Sequence, residues 1–174
     1  MELNELIERT IEGCCILFEQ KNVNLEVEYN PNPLIVNADE SRLIQIVGNL
    51  LHNAAKFTSR GGLIRVYIES ETFQKQAIIR IVDNGEGIAP EVLPLLFQPF
   101  MQANTTLNRN LGGLGLGLAL VKGLVEMQGG NVSALSAGLG QGSEFVVRIP
   151  LKDALIEEPK KIVHRENLII PIVF

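Results

Sequence analysis

The chain has 174 residues, of which 46% are apolar and 20% charged, and its formal net charge is -5. This length suits one domain with a substantial core, and the apolar content excludes a disordered chain. The acidic balance argues against a general nucleic-acid binder, and no apolar run reaches the roughly eighteen residues of a membrane-spanning helix.

The first residues, MELNELIERTIEG, are acidic and amphipathic, unlike a secretion signal. Leu3, Leu6, Ile7, Ile11, Cys14 and Phe18 fall at helical spacing, which predicts an amphipathic helix over 2–20. Cys14 and Cys15 are adjacent and no other cysteine exists, so a reducing, cytoplasmic setting is expected, with both as small helix residues. Alternation of Leu25, Val27 and Tyr29 predicts a strand over 24–30, and PLIV (33–36) a second short one. Asp39 is placed to cap a helix over 41–58, which the glycines of RGG (60–62) end. Strands at 63–70 and 76–83 follow, joined by a hairpin loop. Pro90 opens a short helix over 90–97. A polar, glycine-containing loop (98–115) leads into a helix over 116–128 stopped by Gly129 and Gly130. Strands at 131–137 and 143–150 complete the pattern. Strands grouped in antiparallel pairs between helices favour an α+β, two-layer sandwich: one mixed, mostly antiparallel sheet with helices on one face. We place the domain at 1–151. Residues 152–174, charged and then apolar (LIIPIVF), fall outside it as a tail or linker.

Three stretches carry chemistry. Asn49, Asn53 and Lys56 share one face of an otherwise apolar helix. Burying them unpaired would cost roughly 1–3 kcal/mol per group, so they face water or a polar ligand. An amide oxygen suits Mg²⁺ and an ammonium suits phosphate. Asp83 ends a strand and is followed by Gly85 and Gly87. That reads either as an Asp-Asn-Gly turn or as a carboxylate accepting from a ligand amine, with glycines letting a flat ring approach. A calcium loop fails, because the glycines stand where ligand side chains are needed. Finally, GGLGLGLALVKG (112–123) leads glycines into a helix N-terminus, which is an anion site or a flexible linker. It is neither a P-loop nor a GxGxxG fingerprint.

In order and spacing, Asn49…Asn53…Lys56, Asp83-x-Gly85-x-Gly87, LFQPF (96–100) and GGLGLGL resemble the N box, first glycine box, F box and second glycine box of sensor histidine kinases. The form is similar to that of bacterial hybrid kinases. The superfamily also includes gyrase, mismatch-repair ATPases and a large chaperone family. The resemblance runs from about Leu3 to Leu151 and takes in GQGSEFVVRIP, like the closing glycine turn and last strand.

By that resemblance the chain binds Mg²⁺ and ATP and presents the γ-phosphoryl to a histidine. Asn53 resembles the Mg²⁺ ligand, Asn49 its polar neighbour near the phosphates, and Lys56 a phosphate contact. Phe57 resembles a wall near the nucleotide. Asp83 resembles the reader of the adenine amino group, in a pocket shaped by Gly85, Gly87 and Ile88. Phe97 and Phe100 resemble aromatics anchoring a lid, and Arg109 a lid arginine near the phosphates. Gly113, Gly115 and Gly117 resemble lid glycines, with the Gly115 and Leu116 amides near phosphate. Leu114 departs from the pattern, since many relatives carry Thr there.

The resemblance also implies partners: a phosphoacceptor histidine domain, which dimerises the parent and is absent from this chain, and a response regulator. The domain itself would be cytoplasmic, with no nucleic-acid partner and no direct membrane contact, even where the parent is membrane-anchored. His52 lies inside the N box, and His164 does not resemble a phosphoacceptor motif. Two rivals are an ATPase of the same fold and a degenerate nucleotide-binding module. Superfamily ATPases resemble one another in a water-activating Glu where this chain has Asn49, and an amide is no general base.

Overall fold

A computed structural model describes residues 1–101 and 115–152. The expectations for Arg109, Gly113, Leu114 and the rest of 102–114, and for the tail over 153–174 with His164, lie outside the described residues.

In chain order the elements are α1 (Leu3–Lys21), β1 (Asn24–Glu28), α2 (Glu40–Phe57), β2 (Leu63–Glu71), β3 (Gln76–Asp83), α3 (Gly117–Met127), β4 (Asn131–Leu135) and β5 (Ser143–Pro150). The Glu2 side chain caps α1, accepting from Asn4 N at 3.1 Å and Glu5 N at 2.8 Å. Asn22 ends it in the left-handed region at φ 52°. Leu3, Leu6, Ile7, Ile11 and Phe18 are buried. Cys14 and Cys15 are free thiols, half-buried, and burial together with its neighbour Cys15 pushes the Cys14 thiol up. Gly13 lies within α1, with no atom within 4 Å of where a Cβ would stand. Gly13→Ala should therefore raise stability by about 0.5–1 kcal/mol, read as a later urea midpoint with unchanged slope.

Asp39 caps α2 through Arg42 N at 3.0 Å. Leu43, Ile46, Val47, Leu50, Leu51, Ala54 and Ala55 are buried in the core. The apolar stripe turns one side of α2 inward and leaves Asn49, Asn53 and Lys56 as a half-buried row.

The five strands form one sheet in the order β1-β2-β3-β5-β4. The registers place Val66 opposite Ile81 and Ile81 opposite Phe145. That row, with Ile64, Ile68, Ala77, Ile79, Val147 and Ile149, is buried under the helices. The other face is polar. Arg65 meets Glu26 at 2.7 Å, and Arg80 bridges Glu69 at 3.2 Å and Glu144 at 2.5 Å while lying over the Tyr67 ring at 5.2 Å. The exposed Arg65–Glu26 pair contributes little to stability, while Arg80 and Glu144 are half-buried.

Three details differ from the sequence-based expectation. First, β1 pairs with β2 in parallel, across the α2 crossover, and not with a local antiparallel partner. Second, residues 33–36 form no full strand. Ile35 bridges Glu2 and Val36 bridges Leu151, so this segment ties the start of α1 to the residue after β5. The Met1 and Val36 backbones exchange two 3.0 Å hydrogen bonds, and Lys152 N donates to Ile35 O at 2.8 Å. Third, only Leu93–Leu95 of the expected helix at 90–97 is helical, as one 3₁₀ turn. Pro94 within that stretch carries no N–H and disfavours a longer helix.

Candidate functional site

Asp83 closes β3 on the buried row, opposite Ile64 on β2 and Ser143 on β5. It is only 6% exposed. Its Oδ1 accepts from Gly85 N at 2.9 Å and its Oδ2 from Ser143 Oγ at 2.5 Å. Each carboxylate oxygen offers about two acceptor sites, so one on each stays open to a ligand N–H. The flanking segment is not a hairpin turn, because the sheet neighbours of β3 are β2 and β5 while β4 follows it in the chain.

The segment after Asp83 is held from two sides. Glu86 N donates to Phe57 O at the end of α2 at 3.0 Å, while Gly142 N donates to Gly85 O at 3.2 Å and Gly140 N to Glu86 O at 2.6 Å. A Cβ at Gly85 would collide with Phe57 O and Asp83 Oδ1. At Gly87, where φ is +68°, it would strike Gly138 O. Both glycines are therefore demanded by close backbone approach. Ile88 lies half-buried against the core beside them.

The Phe57–Glu86 bond sets the α2 row next to this turn. Lys56 and Asn53 precede Phe57 by one and four residues, and Asn49 lies about 6 Å further back along the helix. Neither asparagine side chain hydrogen-bonds to any described residue. The Lys56 ammonium lies 5.0 Å from the Phe57 ring centroid, a contact that keeps the charge near the end of the helix. His52 is exposed.

The start of α3 reaches the same place. Asp39 N at the head of α2 donates to Gln128 Oε1 at the tail of α3, at 2.8 Å, so the two packed helices run antiparallel. From Gln128 back to Leu116 is about 18 Å of helix, which brings the α3 N-terminus level with Asn49 and Asn53. No side chain caps it. Its first N–H groups and its dipole are thus available to an anion. Gly115, at φ +68°, accepts from Phe100 N at 3.1 Å. Phe97 packs edge-on against Phe145, centroids 6.5 Å apart. Phe100 is 73% exposed, on a backbone at φ 64°, and the segment it is expected to anchor lies outside the described residues.

The structure thus gathers Asn49, Asn53, Lys56, Phe57, Asp83, Gly85, Gly87, Ile88, Leu116 and Gly117 about one end of the sheet, with Phe97 and Gly115 flanking it. The residue reading missed a second polar partner of Asp83. Ser143 lies sixty positions away, and only strand register brings them together. Among the described residues no group of three His, Cys, Asp or Glu side chains is set to hold a metal. Mg²⁺ needs fewer protein oxygens where phosphates and water complete its octahedron, and two unpartnered amides fit that role.

Residues 38–153 match the family described as histidine kinase-, DNA gyrase B-, and HSP90-like ATPase. Over 162 residues the chain is 40% identical to the autoinducer 2 sensor kinase/phosphatase LuxQ of Vibrio cholerae, covering 91% of this chain and 18% of LuxQ. It is 43% identical to the circadian input-output histidine kinase CikA of Synechococcus elongatus, covering 78% of this chain and 18% of CikA. The chain therefore spans under a fifth of the length of these relatives. Among solved structures, the mycobacterial sensor histidine kinase MprB superposes with a TM-score of 0.74 at 29% identity, covering 87% of this chain and 96% of that one. Full-length ShkA in complex with AMPPNP gives 0.74 at 30% identity, covering 86% and 30%. A family match across two glycine-lined loops, the amide row of α2 and a pinned carboxylate leaves one assignment: the chain belongs to the histidine kinase-, DNA gyrase B-, and HSP90-like ATPase family.

Proposed function

We propose that this chain is the ATP-binding catalytic domain of a two-component sensor histidine kinase. In this reading Asp83 accepts the adenine amino group, and Gly85, Gly87 and Ile88 form the wall beside the ring. Lys56, the amides of Gly115 and Leu116 leading into α3, and Arg109 meet the phosphates, the last on sequence grounds alone. Asn53, with Asn49 beside it, would hold Mg²⁺, which when bound neutralises phosphate charge. Catalysis by these residues is orientation and charge stabilisation of the γ-phosphoryl for in-line attack. The nucleophile is an imidazole on a separate phosphoacceptor domain of a dimeric parent, and a response regulator receives the phosphoryl next. The reaction belongs to the cytoplasm; no described helix is long and apolar enough to cross a membrane.

The observation that carries this reading is the pairing of a buried carboxylate, fixed by two donors with acceptor sites to spare, with an unpartnered amide row one helix end away. The AMPPNP bound to the relative ShkA supports the ligand class. Titration calorimetry tests it. ATP should bind in a Mg²⁺-dependent manner, and Asp83→Asn and Asn53→Ala should each weaken binding by about tenfold or more. GTP presents a keto oxygen to Asp83 and should bind worse by a similar factor. Wild-type affinity in both variants would overturn the site.

A further inference from the structure

One hydroxyl outside the assigned site holds both loops that pin Asp83. Ser136, just past β4, accepts from Ile88 N at 3.0 Å and Gly138 N at 3.3 Å and lies 2.7 Å from Gly142 O, to which it donates. A hydroxyl has one proton and two lone pairs, so these three bonds fill its capacity; Gly138 O, at 3.3 Å, is the poorer acceptor for the same proton.

The partners matter more than their number. Ile88 closes the Gly85–Glu86–Gly87 turn, whose Gly85 N–H is one of the two donors to Asp83. Gly142 immediately precedes Ser143, the other donor. Gly142 sits at φ +70°, and a Cβ there would collide with Asp83 O, so this peptide has no slack against β3. Both donors to the Asp83 carboxylate thus lie on segments whose relative placement Ser136 fixes. Losing the hydroxyl leaves Ile88 N–H and Gly142 C=O without a partner and lets the two segments shift apart.

We propose that Ser136 is a positioning residue for base recognition: through Ile88 and Gly142 it sets the orientation of the Asp83 carboxylate and with it the preference for adenine. This rests on the nucleotide reading given above. A residue that merely stabilised the fold would change both nucleotides' affinities alike. A residue that aims the carboxylate changes their ratio.

The test pairs calorimetry with amide hydrogen exchange on Ser136→Ala, Ser136→Cys and Ser136→Thr. In the Ala variant ATP affinity should fall on the order of tenfold, with little change for GTP, so the ratio collapses. Thr keeps the hydroxyl and should preserve the ratio. Cys, similar in shape but a weak hydrogen-bonder, should behave like Ala and covers the case in which Ala fails to fold. Exchange at Ile88 should speed up in Ala and Cys while Ile79 and Ile81 in the sheet stay protected. An unchanged ATP-to-GTP ratio in Ala and Cys would overturn the proposal, as would Thr losing the ratio as fully as Ala. If the wild type binds neither nucleotide, the nucleotide reading fails and the base-recognition role falls with it; accelerated Ile88 exchange would then still show Ser136 holding the two loops, a result distinct from failure of that structural link.

Discussion

Gly85→Ala is expected to abolish measurable ATP binding and to lower stability by about 1–3 kcal/mol, the range for forcing an extra group into a packed site. The added methyl would occupy the position of Phe57 O and crowd Asp83 Oδ1. Neither can yield alone. Phe57 O is main chain at the end of α2 and already accepts from Glu86 N, and Asp83 is held by Ser143 as well as Gly85. Relief requires the loop to lift away from α2, which separates the Asp83 wall from the Asn53–Lys56 row. Calorimetry and urea unfolding check both effects. Gly13→Ala, open on all sides, is the control that should move stability the other way. An alanine at 85 that left ATP affinity untouched would mean that the nucleotide does not lie against this turn.

The chain alone, given labelled Mg²⁺-ATP, is expected to turn over little and to carry no stable label, whereas a histidine hairpin supplied in trans should acquire an acid-labile phosphoryl group. Transfer should fall at least a hundredfold in Asn53→Ala, since positioning supplies most of the rate. The reasoning starts from position 49, where an amide cannot deprotonate water. Glu86 could be raised as a substitute base, but its backbone is fixed to Phe57 O and Gly140 N beside Asp83, at the base end of the proposed nucleotide. In the proposed reading, with no activated water, transfer has to await an imidazole. Rapid, steady phosphate release by the chain alone, lost in Asn53→Ala, would show a hydrolase of the same family and overturn the kinase reading.

Much of this was legible in the residues because local chemistry determines it. The α2 row stood out since amides and an ammonium on an apolar helix have no place in a core, and Asp39 marked the start of that helix as it does in the structure. The strands expected at 63–70, 76–83 and 143–150 match β2, β3 and β5. Pairing was harder. Periodicity shows that Leu25 and Val27 belong to a strand, but not that β1 lies parallel to β2 beyond an intervening helix. Glu2 was missed as a cap because glutamate is not among the residues that usually fill that place. Its reach extends further, to Leu34 N at 3.3 Å. Phe100 read as an anchor by type, and the residues it would hold lie outside those described. Ser136 and Ser143 gave no local signal at all, for a lone serine near a strand end acquires meaning only from what the sheet lays beside it.

The clasp formed by residues 33–36 has a mechanical consequence. Met1 and Lys152 both bond to it, and Leu151 follows directly on β5, whose Pro150 end pairs with Gln76, the end of β3 remote from Asp83. Seven residue steps of strand separate the two ends, about 23 Å. Covalent connections entering before residue 1 and leaving after 152 would grip the domain at its heel, on one short edge, with the Asp83 end as the free tip. A swivel of about 30° at that heel sweeps the tip through roughly 12 Å, by the same strand length. Small adjustments at the heel would thus become large displacements at the Asp83 end, where the proposed function places the nucleotide.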